Sequence, residues 1–188
     1  MVLWSVIDTE TTGLYDEDYA ISLGTLIADV DADRGTIECI DSMYSLIRIP
    51  NPSMTEKTRF IHGIYPEEVA SASEPVEVCG RYVQMQERYG FSHVAAWNQS
   101  FDRRYVEKLF RQADMKLPSL KWVEIQPFNR ARLDTYASQL KCKDIRKLSG
   151  HHALKDCARA LGVYAEYNGY KLDVPSLMRT LQTFIEPR

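Results

Sequence analysis

Asp8-Thr9-Glu10-Thr11-Thr12-Gly13-Leu14 follows directly on the apolar run Val2-Leu3-Trp4-Ser5-Val6-Ile7. An apolar run of this length, bounded by a Thr-Thr-Gly turn, predicts a buried strand whose end carries Asp8 and Glu10. Side chains two apart on a strand leave from the same face, so the two carboxylates stand side by side. Two like charges that close do not both ionise comfortably unless a cation lies between them, which points to a divalent-metal site. An acidic strand end exposed to water is the plainer reading of a lone Asp-x-Glu. A buried strand that delivers hard oxygen ligands into a turn is costly unless something binds there, and this favours the metal.

Outward from this stretch, Tyr19 to Val30 and Thr36 to Ile49 are rich in Ile, Leu, Val and Tyr and flank Asp31-Ala32-Asp33-Arg34-Gly35, the pattern of a β-hairpin. Asp29, Asp31 and Asp33 do not make a calcium loop, because Arg34 stands where the glycine is needed and Ile40 where the bidentate glutamate is needed. Helical spacing runs from Pro75 to Tyr89, and His93 to Ala96 fits a short interior strand. Ser100 is the expected N-cap of a helix carrying Phe101, Tyr105, Leu109 and Phe110, with Asp102 in its first turn. A strand near Lys121 to Ile125 and helices around Leu133 to Leu140, His152 to Leu161 and Pro175 to Phe184 complete the chain. A three-stranded meander followed by alternating helices and strands argues for an α/β fold with helices flanking a mixed sheet.

A chain of 188 residues is expected to form one domain spanning residues 1–188. No apolar run approaches the length of a membrane span, and Asp8 and Glu10 interrupt the N-terminal apolar stretch too early for a secretory signal. Cysteines 39, 79, 142 and 157 form no CxxC pair, which suits free thiols in a reducing compartment, so a cytoplasmic protein with no membrane partner is expected. A net charge of -3 gives no global attraction to nucleic acid, so any phosphate binding must come from a local basic patch or a bound metal.

The second informative stretch is Ser149-Gly150-His151-His152-Ala153-Leu154-Lys155-Asp156. Residues five apart on a helix differ by about 140° around its axis, so His151 and Asp156 do not share a helical face. They converge only if His151 lies in the loop before the helix and reaches back over it, a turn that Gly150 eases. Ala153, Cys157, Ala160 and Leu161 form an apolar stripe with Asp156 at its edge, where a carboxylate needs a partner. An ordinary amphipathic helix with two surface histidines remains open on this stretch alone.

A third stretch reads Ala96-Trp97-Asn98-Gln99-Ser100-Phe101-Asp102. Together, Asp8-x-Glu10, Asn98-x-x-Phe101-Asp102 and His151-x-x-x-x-Asp156 resemble the three motifs of the DEDDh 3′ to 5′ exonucleases, the DnaQ-like family that includes the proofreading subunit of bacterial replicative polymerases. Ile61-His62-Gly63-Ile64 is similar to that family's His-Gly-Ile segment, so the resemblance covers nearly the whole chain. It implies a ribonuclease H-like fold, with a mixed five-stranded sheet of three antiparallel meander strands plus parallel strands.

The resemblance also implies Asp8, Glu10, Asp102 and Asp156 as metal ligands, holding two divalent cations, Mg²⁺ or Mn²⁺, for phosphodiester hydrolysis. Asp8 is expected to bridge the ions, Glu10 and Asp156 to hold the one carrying the attacking water, and Asp102 to support the other. His151 is the implied general base, preferred over His152 because the family places four residues between the histidine and the last aspartate. Thr9, Thr11, Leu14, His62, Ile64, Asn98 and Phe101 match positions that handle substrate, although each also reads as a core, turn or cap residue. The basic run Lys141 to Lys147 offers phosphate contacts or is a solvated loop.

The implied partner is a nucleic acid 3′ end, with single-stranded DNA favoured and RNA open, as for an exoribonuclease similar to RNase T or oligoribonuclease. An inactive binding module is the remaining alternative, and it would be expected to have lost one of the five groups that are all present. Ser22 and Trp97 depart from the acidic residue and histidine common at those positions, which weakens any transfer of a particular relative's substrate. The short stretch after Asp156 leaves little for a polymerase-binding tail.

Overall fold

The computed structural model describes residues 1–127, 131–148 and 150–185. The apolar run and the acidic pair together form β1 (Val2–Thr11), which pairs antiparallel with β2 (Ala20–Asp31), itself antiparallel to β3 (Thr36–Leu46). The β2–β3 turn is closed by the Asp31 carboxylate, which accepts from the Asp33 and Arg34 amides, and by Gly35 at φ +64°. After a 3₁₀ turn (Pro52–Lys57) come α1 (Arg59–His62), α2 (Pro66–Ala70) and α3 (Pro75–Tyr89), the last opened by proline and closed by left-handed Gly90. Then follow β4 (His93–Ala96), α4 (Gln99–Gln112), β5 (Lys121–Glu124), α5 (Leu133–Ala137), α6 (Lys143–Arg146), α7 (Ala153–Tyr167), β6 (Lys171–Leu172) and α8 (Val174–Ile185).

The sheet order is β5-β4-β1-β2-β3-β6, with β4 parallel to β1, β5 parallel to β4 and β6 parallel to β3. This is the expected ribonuclease H-like arrangement with one strand more than expected. The extra strand, β6, has two residues, too few for any period to show in sequence.

Helices cover both faces. Trp4, Val6, Leu26 and Ala28 pack under α7 and α8, while Ile7, Leu23, Ile27 and Val94 pack under α3 and α4 through Val78, Tyr82, Tyr105 and Leu109. A strand buried on both sides needs no polar alternation, which is why β2 is rich in apolar residues on both of its faces. Helix boundaries differ from expectation at α5, which ends at Ala137 rather than near Leu140, and at α4 and α7. Asn98, not Ser100, caps α4: its side chain accepts from the Phe101 amide, and the Ser100 hydroxyl donates to it. Helix α7 runs on past Leu161 through Gly162, where a Cβ would come within 3.2 Å of Ile145 and 3.3 Å of Leu140. The glycine that weakens the helical signal lets α6 and the Leu140 segment press against α7.

Candidate active site

Asp8 and Glu10 leave β1 on the same face as Trp4 and Val6, the face covered by α7. Their distance from α7 is set by β2. Asp8 pairs with Gly24, and a Cβ on Gly24 would lie 2.5 Å from the backbone of Ala153 and Leu154. The missing side chain lets the first turn of α7 sit directly on the sheet beside the acidic pair. Gly150, at φ +83°, turns the chain into α7, leaving His151 ahead of the helix and Asp156 in its first turn. His151 Nδ1 lies 3.8 Å from Asp156 Oδ2, and ligand atoms of Glu10, His151 and Asp156 all fall within 4.8 Å of one another.

Asp102 arrives from the other side of the sheet. Its Oδ1 accepts from the Thr9 amide at 3.0 Å and the Thr9 hydroxyl at 2.8 Å, which ties the first turn of α4 to the β1 residue between the acidic pair. Thr9 alternates to the opposite face from Asp8 and Glu10, so β1 collects carboxylates from both layers at its end.

Burial raises the pKa of all four carboxylates, and charge from neighbouring carboxylates adds to it. Burial, then the charges of Asp102, Asp156 and Glu10, push Asp8 well above the ordinary carboxylate range. Burial, then Asp156 and Asp102, raise Glu10 from 4.5 to about 8. Burial raises Asp102 to about 7 against the opposing Thr9 hydrogen bonds. Asp156 is also raised by burial, although the neighbouring Arg159 guanidinium pulls it down. Apposed, partly protonated oxygen donors in a buried cleft are the donor set that a hard divalent cation satisfies, so these residues fit such an ion.

The adjacent His152 is placed differently. It stacks on Tyr44 with ring centroids 4.3 Å apart, and burial followed by the Lys155 charge lowers its pKa. His62 is buried, with Nδ1 accepting from the Ile64 amide at 3.0 Å and Nε2 2.8 Å from the Thr58 hydroxyl. Burial, then the charge of His151, lowers the pKa of His62. Ile64 packs in a small cluster with Ile21, Ile49 and Val69, whereas Leu14 is 69% exposed. The loop bearing Leu14 is tied to α4 by Tyr105 donating to the Gly13 carbonyl and Arg104 to the Leu14 carbonyl. Thr11 donates to the Gly13 carbonyl, Asn98 caps α4, and half-buried Phe101 lies against Tyr105.

Two contributors escape the sequence reading. Gly24 reads as a weak point in a strand, and only the α7 approach explains it. Arg159 reads as a surface arginine, yet its side chain is 8% exposed and donates to Asp156 Oδ1 at 2.7 Å. The one sequence signal for it is its place between Ala158 and Ala160, three residues after Asp156.

Residues 5–164 match the family model described as exonuclease. No curated protein matches in sequence. Among solved structures, the fold is similar to Escherichia coli exonuclease I in complex with a dA16 oligonucleotide (TM-score 0.68, 12% identity, covering 97% of this chain and 43% of that one). It is also similar to a 3′-exonuclease in its recognition of a histone mRNA stem-loop (TM-score 0.70, 14% identity, 87% and 62%) and to a full-length 3′-exonuclease (TM-score 0.68, 15% identity, 90% and 84%). The chain thus spans less than half the length of exonuclease I. With the family model matching most of its length, and the three acidic motifs on the strand and helix ends where the fold brings them together, the chain belongs to the exonuclease family as a DEDDh-type, DnaQ-like member.

Proposed function

We propose that the chain is a single exonuclease domain that hydrolyses phosphodiester bonds from the 3′ end of single-stranded DNA and releases 5′ mononucleotides. The observation that carries this reading is the cluster of Glu10, His151 and Asp156, whose ligand atoms fall within 4.8 Å of one another, with Asp8 on the same strand face as Glu10 and Asp102 tied to that strand through Thr9. Two divalent cations, Mg²⁺ or Mn²⁺, held by these four carboxylates would neutralise the charged leaving oxygen and lower the pKa of the attacking water. Asp8 would serve both cations, Glu10 and Asp156 would hold the one that supplies the attacking water, and Asp102, oriented by Thr9, would support the other.

His151 would take the proton from the water as general base, its Nδ1 3.8 Å from Asp156 Oδ2, whereas the ring nitrogens of His62 are engaged by Thr58 and the Ile64 amide. Exposed Leu14, on a loop braced by Tyr105 and Arg104, packs against the terminal base. Ile64, packed with Ile21, Ile49 and Val69, is assigned to the same base contact. The Thr9 amide already serves Asp102, so recognition of the 3′ hydroxyl falls to the rest of the Thr9–Thr11 segment. His62, Asn98 and Phe101 shape the cleft wall, and the exposed lysines 141, 143 and 147 beside α6 track the phosphates. No described helix is long and apolar enough to cross a membrane, and with four free cysteines we assign the protein to the cytoplasm.

The test is digestion of 5′-labelled single-stranded DNA, duplex DNA and RNA side by side with Mg²⁺, Mn²⁺ or EDTA. A ladder shortening from the 3′ end of single-stranded DNA, abolished by EDTA, is expected. Faster trimming of RNA would move the assignment to an exoribonuclease, and cuts in circular single-stranded DNA would overturn the exonuclease reading.

A further inference from the structure

Arg159 is the feature of this site that the proposed chemistry does not use. It projects from α7 one turn after Asp156, between buried Ala158 and Ala160, and its own side chain is 8% exposed. Burying a guanidinium is costly unless charge partners receive it, and here two do. Nη1 donates to Asp156 Oδ1 at 2.7 Å, and Nη2 donates to Asp134 Oδ1 on α5. Asp134 is half exposed and stands outside the cluster of Glu10, His151 and Asp156, so its visible role is to hold the guanidinium. The planar fork of arginine spreads its two terminal NH₂ groups between two carboxylates, a geometry that a lysine ammonium on its flexible stem does not reproduce.

We propose that Arg159 is a positioning residue for the metal site: anchored by Asp134, it occupies Oδ1 of Asp156 and fixes the carboxylate so that Oδ2 is the oxygen presented beside Glu10 and His151. The inference rests on the reading of Asp156 as a ligand for a divalent cation. It follows that a change at Asp134, which lies outside the cluster of Glu10, His151 and Asp156, reaches the metal through its grip on Arg159 as well as through its own charge near Asp156.

The decisive measurement is Mn²⁺ binding by calorimetry, without nucleic acid, to the wild type, Arg159→Lys and Asp134→Asn, with metal-free melting temperatures recorded alongside. Arg159→Lys keeps the positive charge, so a changed affinity reports lost geometry. Both variants should bind Mn²⁺ about tenfold or more weakly than the wild type, and both should cleave more slowly at saturating metal. A purely structural arginine would lower the metal-free melting temperature and leave the Mn²⁺ affinity unmoved. Should Arg159→Lys not fold, Asp134→Asn alone decides. Affinity within about twofold of wild type in either folded variant overturns the proposal, as does a wild type that binds no Mn²⁺. A wild type that binds Mn²⁺ but cleaves nothing would instead remove the nuclease reading and leave this one standing.

Discussion

At the scale of single residues, the carboxylates of the cleft are placed against their own electrostatics. Asp8 has its pKa raised by burial and by three neighbouring carboxylates, so a neutral amide should suit the metal-free fold better than the acid does. Asp8→Asn is therefore expected to lower turnover by at least about 10³-fold while raising the metal-free melting temperature. Cleavage assays and thermal scans without metal check both halves, and wild-type cleavage by this variant would remove Asp8 from the metal site. The histidine pair supplies an internal control. His151→Ala should lower turnover by roughly 10² to 10⁴-fold, the usual worth of a positioned base. His152→Ala, which loses a stacking contact with Tyr44, should act chiefly on stability. Single-turnover rates of the two variants decide, and a larger loss from His152→Ala would mean that the third motif is read one residue out of register.

Elements meet at Gly24, where β2 and the first turn of α7 have no room for a side chain. A methyl group there would lie 2.5 Å from the Ala153 and Leu154 backbone, so α7 must lift and carry His151 and Asp156 away from Asp8 and Glu10. Gly24→Ala should lower the melting temperature and reduce turnover by about 10²-fold with no ligand altered. Gly80, inside α3 with nothing within 4 Å of a built Cβ, is the contrasting case. Gly80→Ala should raise stability by about 0.5–1 kcal/mol through helix propensity and leave turnover unchanged. A pair of alanine variants with the same effect would show that spacing at Gly24 does not govern the site.

For the whole molecule, the raised carboxylates link stability to pH and to metal. Glu10 rises to about 8 and Asp102 to about 7, so the folded state holds these protons more tightly than the unfolded chain does. Their contribution to stability is fully present below the unfolded value near 4 and is lost as pH rises through 7 to 8. Metal-free protein should therefore melt at a lower temperature at pH 8 than at pH 5. Divalent cation binds the ionised forms, so Mn²⁺ should raise the melting temperature more at pH 8 than at pH 5, by about 5 °C or more at the higher pH. Scans at the two pH values with Mn²⁺ and with EDTA check the sign, and a metal-free protein more stable at pH 8 would contradict the electrostatic account.

Much of this was legible in the chain because it is local. The Asp8-x-Glu10 spacing fixes a shared strand face, Pro75 and Gly90 mark the ends of α3, and Gly150 permits the turn that lets His151 meet Asp156. Periodicity and turn chemistry report such features directly, and the α/β class follows from their order. What only the tertiary structure decided involves partners far apart in sequence: Thr9 holding Asp102, Gly24 admitting α7, Asp134 gripping Arg159, and the two-residue strand beside β3. A buried arginine and a surface arginine look alike in sequence, since the carboxylates that make burial tolerable come from other elements. The residue types present at the site are a property of the sequence, but the oxygen each presents is set by how the sheet and helices pack.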